Sequence, residues 1–162
     1  MLNILRKQKG QSVTEIVVAM TLFAIVFTGG WQIIHNSYQQ IIDNMNSLRA
    51  HYYIVEGLEV VRAMRNEDWN IVNIADESVP YHFELIDGLL VLNSGSEDLE
   101  GGFERSISIS SVRRDSSFEI SDDPADTIDP DTKKISVEVI WRFRGIERVD
   151  ETSIYLTNWN KF

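Results

Sequence analysis

KGQSVTEIVVAMTLFAIVFTGGWQII, residues 9–34, is the stretch on which the reading of this chain turns. From Ile16 to Ile34, 19 residues pass without a charged side chain. At 1.5 Å per residue they form a helix about 28 Å long, close to the thickness of a bilayer's hydrocarbon core. The ten residues before it, MLNILRKQKG, place Arg6, Lys7 and Lys9 on one flank. Positive-inside bias therefore puts residues 1–10 in the cytoplasm and the rest of the chain outside. A secretory signal would be cut after its apolar segment at a small-x-small site, but here Thr28-Gly29-Gly30 runs straight into bulky Trp31. The residues alone thus describe a signal anchor, with Trp31 where an interfacial ring belongs.

Glu15 stands at the lip of the apolar run. A carboxylate there is costly unless something offsets it, and such residues tend to be functional. A local explanation also exists. Ser12-Val13-Thr14-Glu15 fits the S-x-x-E capping box, in which Glu15 bonds back to the Ser12 backbone.

Lys9-Gly10, then Gln11-Ser12-Val13-Thr14-Glu15, then an apolar run, resembles the N-terminus of type IV prepilins and type II secretion pseudopilins. The resemblance implies cleavage after Gly10 by a membrane-embedded prepilin peptidase and methylation of the new amino terminus at Gln11. It implies that Glu15 pairs with the terminal amine of a neighbouring subunit during assembly. Gln11 stands where the family usually has Phe or Met. The implied pairing is physically sound, because opposite charges attract strongly in low dielectric and neither is stable there alone.

No proline occurs before Pro80, and helical periodicity continues beyond the membrane stretch. Leu48, Tyr52, Val55 and Leu58, then Glu59, Arg62 and Arg65, form an i, i+3/i+4 stripe that ends in charge. One helix is expected from about Ser12 to about Asn66, its C-terminal half packed on a globular domain. Gly29-Gly30 predicts either a kink or local melting, at about 1 kcal/mol lost per glycine, or close packing against another helix. The stretch from Glu56 to Trp69 resembles a segment of minor-pilin-like proteins. Its simpler reading is a helix face that closes in charge, with Trp69 in the core.

Beyond Trp69 the period shortens to two. Ile135, Val137, Val139, Trp141 and Phe143 alternate with Ser136, Glu138, Ile140, Arg142 and Arg144, and Phe103, Arg105, Ile107 and Ile109 alternate with Glu104, Ser106, Ser108 and Ser110. Residues 81–86 and 89–92 flank Asp87-Gly88 as a hairpin, and 146–157 supply a last strand across Arg144-Gly145. The expected class is α+β: a long N-terminal helix, transmembrane in its first half, packed on a four- to five-stranded antiparallel sheet. Residues 1–10 form a cytoplasmic leader, 11–35 the transmembrane and assembly helix, 36–68 its amphipathic continuation, and 69–162 an extracytoplasmic sheet domain. The runs 134–141 and 156–159 also resemble minor-pilin-like chains, but only the N-terminal motif is specific.

Composition excludes much chemistry. With no cysteine there is no disulfide, thiolate nucleophile or cysteine-bound metal. The net charge is −10, and loss of residues 1–10 leaves 12 basic against 25 acidic residues, or −13. Such a surface argues against nucleic acid as a partner, Arg113-Arg114 notwithstanding. His35, His51 and His82 have no H-E-x-x-H spacing, and no nucleotide or hydrolase fingerprint is present. No enzyme activity or cofactor is expected. Asp122, Asp123, Asp126, Asp129 and Asp131 form a candidate calcium loop, the kind some pseudopilins carry, although D-x-D-x-D-G is missing and Pro124 and Pro130 suit a solvated turn.

The expectation is a minor pilin or pseudopilin of a type IV pilus or type II secretion-like filament. Its partners would be other pilin subunits, prepilin peptidase, the assembly platform and membrane lipid. It would sit as a single-pass protein of the cytoplasmic membrane, then in a surface filament. The alternative is a signal-anchored extracytoplasmic binding or adhesin domain in which Glu15 is only a cap.

Overall fold

A computed structural model describes residues 13–159. Two compact units make up the chain, Met1–Asn44 and Met45–Phe162. Helix α1 runs from Val13 to Glu67, 55 residues without interruption. It passes through Gly29-Gly30 as helix, so the local melting considered above does not occur, and a Cβ at either glycine would meet nothing within 4 Å. The two threonine hydroxyls of the apolar stretch bond inside the helix: Thr21 Oγ1 donates to Val17 O and Thr28 Oγ1 to Ala24 O, both at 2.8 Å. Neither is left unpaired in an apolar surrounding. At the other end, Asp68 leaves the helical region (φ −149°, ψ 118°) and accepts a hydrogen bond from Asn70 N, so it caps the short helix α2, Trp69–Asn73.

The remaining elements are strands β1 (Tyr81–Ile86), β2 (Leu89–Ser94), β3 (Glu97–Leu99), β4 (Phe103–Arg114), β5 (Ile120–Ser121), β6 (Thr127–Phe143) and β7 (Ile146–Thr157). They form one antiparallel sheet in the order β2-β1-β4-β6-β7, with β3 and β5 paired to β4. Seven strands replace the four or five expected. The two extra strands are three and two residues long, too short to display a period. Both hairpin turns are of the kind the sequence suggests: Asp87-Gly88 and Arg144-Gly145 have positive φ at both positions, which matches the twist of the flanking strands.

The core of the second unit lies between α1 and β4 and β6. Ala50, Ile54, Leu58 and Val61 meet Phe103, Ile107, Ile109, Ile135, Val137 and Val139, with Trp69 packed at the margin. Gly57 lets the helix lie close to the sheet, since a Cβ there would sit 3.1 Å from Val137 Cγ1. This corrects the expected packing stripe. Leu58 is buried, but Leu48 and Tyr52 are 70% and 67% exposed and Val55 is exposed as well. The buried line is Ala50, Ile54, Gly57, Leu58, Val61 and Met64. Small residues at positions 50 and 57 permit the closer approach, and dispersion rewards the denser contact.

Strand β6 also starts earlier than its alternating run. Ser111 pairs with Lys133 but Val112 pairs with Asp129, so the register shifts and Pro130, Asp131 and Thr132 form a bulge against β4. A proline fits there because no ladder donor is required of it.

Candidate functional site

Gly10 and Gln11, the expected cleavage and methylation positions, lie outside the described residues, as does Ser12 of the capping box. Glu15 lies in the first turn of α1 and is exposed. There the partial positive charge of the helix N-terminus favours a carboxylate. Around it Ile16, Met20 and Phe23 are exposed, and among the described residues one helix, α1, is long and apolar enough to cross a membrane, with none of its apolar stretch buried by protein. Phe23 and Phe27, one turn apart, stack with ring centres 6.0 Å apart. Among the described residues, the N-terminal end of this uncovered apolar rod therefore carries one ionisable side chain, Glu15.

The five aspartates of the acidic run do not gather into one cluster. Among the described residues no group of three or more His, Asp or Glu side chains is placed to hold a metal ion. Asp123 Oδ1 accepts from Ala125 N at 2.9 Å. Asp129 lies on β6, not in a loop; its Oδ2 takes Arg114 Nε at 2.6 Å and its Oδ1 takes Asp131 N at 2.9 Å. Burial pushes the Asp129 carboxyl up, but hydrogen bonds from Arg114, Thr132 and the Asp131 backbone outweigh it and hold the group below its ordinary value.

Arg113 and Arg114 are both engaged within the sheet domain. Arg113 Nη1 donates to Asp126 O at 2.7 Å, and Arg114 Nη1 donates to Phe118 O at 2.8 Å. They tie the β4–β5 turn to the start of β6. Glu84 Oε2 accepts from Asn93 Nδ2 at 2.8 Å, and His82 pairs in register with Asn93.

Two buried cations were not singled out by the sequence. Arg105 falls in the inward register of β4, and its side chain is only 2% exposed. Its Nη1 donates to Tyr53 O at 3.0 Å and Glu56 Oε2 at 2.8 Å, its Nη2 to Glu97 Oε2 at 2.6 Å. One guanidinium thus joins α1, β3 and β4. Its place between Phe103 and Ile107 was the available signal. Lys133, buried on β6, donates to Ser111 Oγ at 3.0 Å and Glu77 Oε1 at 3.2 Å. Ser111 also hydrogen-bonds Glu77, and this bond, ahead of the lysine, keeps the Glu77 carboxyl below its ordinary value despite burial.

Comparison with protein-family models, curated proteins and solved structures returned no match to this chain.

Proposed function

We propose that this chain is a structural subunit, a minor pilin or pseudopilin, of a type IV pilus or type II secretion-like filament, cut after Gly10 and methylated at Gln11. One observation carries the reading: a helix whose long uncharged stretch is covered by no protein carries a lone carboxylate at its N-terminal lip. Lipid solvates such a rod before assembly, and the rods of neighbouring subunits solvate it afterwards. Moving it from lipid to protein gains little hydrophobic free energy. Pairing of Glu15 with a neighbour's terminal amine supplies direction and axial register, and an energised machine supplies the work.

The exposed line Met45, Leu48, Tyr52 and Val55 also supports the reading. These residues repeat at three and four, and the same alternation precedes them at Trp31, Ile34, Tyr38 and Ile41. Such spacing is that of a helix–helix seam.

The test is intact-mass and N-terminal analysis of the membrane form. The expected product starts at Gln11 and carries a methyl group. A protein that keeps Met1 would instead be an anchored extracytoplasmic domain.

A further inference from the structure

A groove of about 830 Å³ opens in the sheet domain. Its walls are the β4–β5 turn, the bulged start of β6 and the residues after β7. Ligand clefts commonly fall within this size range.

Its aromatic lining is presented outward and held in place. Phe118 is 80% exposed and has φ 64°, a left-handed conformation that bulky residues seldom adopt. The turn around it is held by hydrogen bonds. Asp115 Oδ1 accepts from Ser117 N at 2.8 Å and Glu119 N at 3.0 Å, and Phe118 N donates to Asp115 O at 3.0 Å. Arg114 Nη1 grips the Phe118 carbonyl. Across the lining, Trp159 is 54% exposed, its Nε1 donating to Asn66 Oδ1 at 3.3 Å. Exposed Ile128 adds an aliphatic face.

Charge narrows the occupant. Among the described residues the lining contains Asp115, Asp126, Asp129 and Asp131 but a single cation, Arg114, which is engaged by Asp129. A groove so balanced repels phosphates and anionic lipid and attracts cations. Aromatic faces attract cations too, and no metal-ligating group of three forms among the described residues.

We propose that this groove is a binding site for a basic, apolar peptide segment. Its Lys or Arg side chains meet the acidic wall that includes Asp126, and its aliphatic side chains lie on Phe118, Ile128 and Trp159. The inference stands on the sheet domain alone and holds for a filament subunit or an anchored domain alike.

The test uses the full chain in detergent micelles, with empty micelles subtracted, and fluorescence anisotropy of labelled hexapeptides KLKLKL, KSKSKS and ELELEL. KLKLKL should bind and weaken with added salt. KSKSKS should bind about ten-fold more weakly, and ELELEL not at all. Phe118→Ala, Ile128→Ala and Asp126→Asn should each weaken KLKLKL by about three- to ten-fold while leaving the urea midpoint unchanged. No binding at millimolar peptide, equal binding of all three peptides, or wild-type affinity in all three variants would overturn the proposal. So would a salt-independent response to the neutral sugar maltohexaose, which would make the groove a saccharide site.

Discussion

The guanidinium carbon of Arg105, on β4, stands 4.3 Å from the centre of the Phe83 ring on β1. The cation thus has a ring on its face, and its two terminal nitrogens bond Glu56, Glu97 and the Tyr53 carbonyl, while its buried Nε has no hydrogen-bond partner. Breaking a buried pair is expensive because an uncompensated charge remains, whereas an apolar replacement of like size is often tolerated. Here both carboxylates keep some access to water, so they can rehydrate once the arginine is gone. Arg105→Ala should cost about 3 kcal/mol of stability and Arg105→Met less than about 1 kcal/mol. Urea unfolding of the full chain in micelles checks both values, and equal losses would contradict the account.

At Gly57, α1 lies close against β6. Alanine there gains about 1 kcal/mol of helix propensity but must displace Val137 by a few tenths of an ångström. Gly57→Ala should therefore be close to neutral. Gly57→Leu has no such escape and should destabilise the domain by about 1–3 kcal/mol through overpacking, which thermal unfolding would register.

Acid should weaken the sheet domain through two carboxyls. Glu77 and Asp129 are both held below their ordinary values in the folded chain, so protons bind more readily to the unfolded state. Their contribution is complete above the unfolded carboxyl range, about pH 4. It disappears as pH falls through their depressed folded values. Stability measured from pH 6 down to pH 2.5 should decline below about pH 4.5. The Glu77→Gln, Asp129→Asn double variant, starting lower, should show a shallower decline over the same interval.

Leu48 and Tyr52 face away from the core. Alanine at both should change the unfolding midpoint little, by under about 0.5 kcal/mol per site, as for surface positions generally. If the exposed seam serves assembly, recovery of the subunit in sheared surface filaments should nonetheless fall. A large loss of folding stability would mean that these side chains pack within the chain.

Glu15→Gln tests the filament proposal most directly. Membrane insertion and the sheet domain should be unaffected, while incorporation into filaments should fall by about ten-fold or more, given the strength of a desolvated charge pair. Quantitative immunoblots of sheared filaments against membranes would measure it, and unchanged incorporation would remove the role assigned to Glu15.

The elements with a long, clean period were legible in the sequence. Val13–Glu67 lies within a residue of the span expected at each end, and the alternations in β4 and β6 place Ile107 and Val137 inward as read. The misjudged stripe has a clear cause. Residues 48, 52 and 55 form an apolar line as convincing as 50, 54, 57, 58 and 61, and hydrophobicity alone favours the larger side chains. Burial went to the line with Ala50 and Gly57, because backbone approach decided it. Strands β3 and β5 are too short for any pattern, and the early start of β6 was hidden by Pro130, tolerated there only through a bulge. The Arg114–Asp129 pair is a long-range contact that no local spacing encodes.

The three-and-four alternation along Met45, Leu48, Tyr52 and Val55 has a geometric corollary. An α-helix turns once in 3.6 residues, whereas this line repeats every 3.5, so it precesses about the rod by about 20° per heptad. A companion rod lying straight alongside would lose the line within a few turns. One that follows it must lean across at about 20° and coil to the left. Handedness, in such a pairing, is already written on the outside of a single chain.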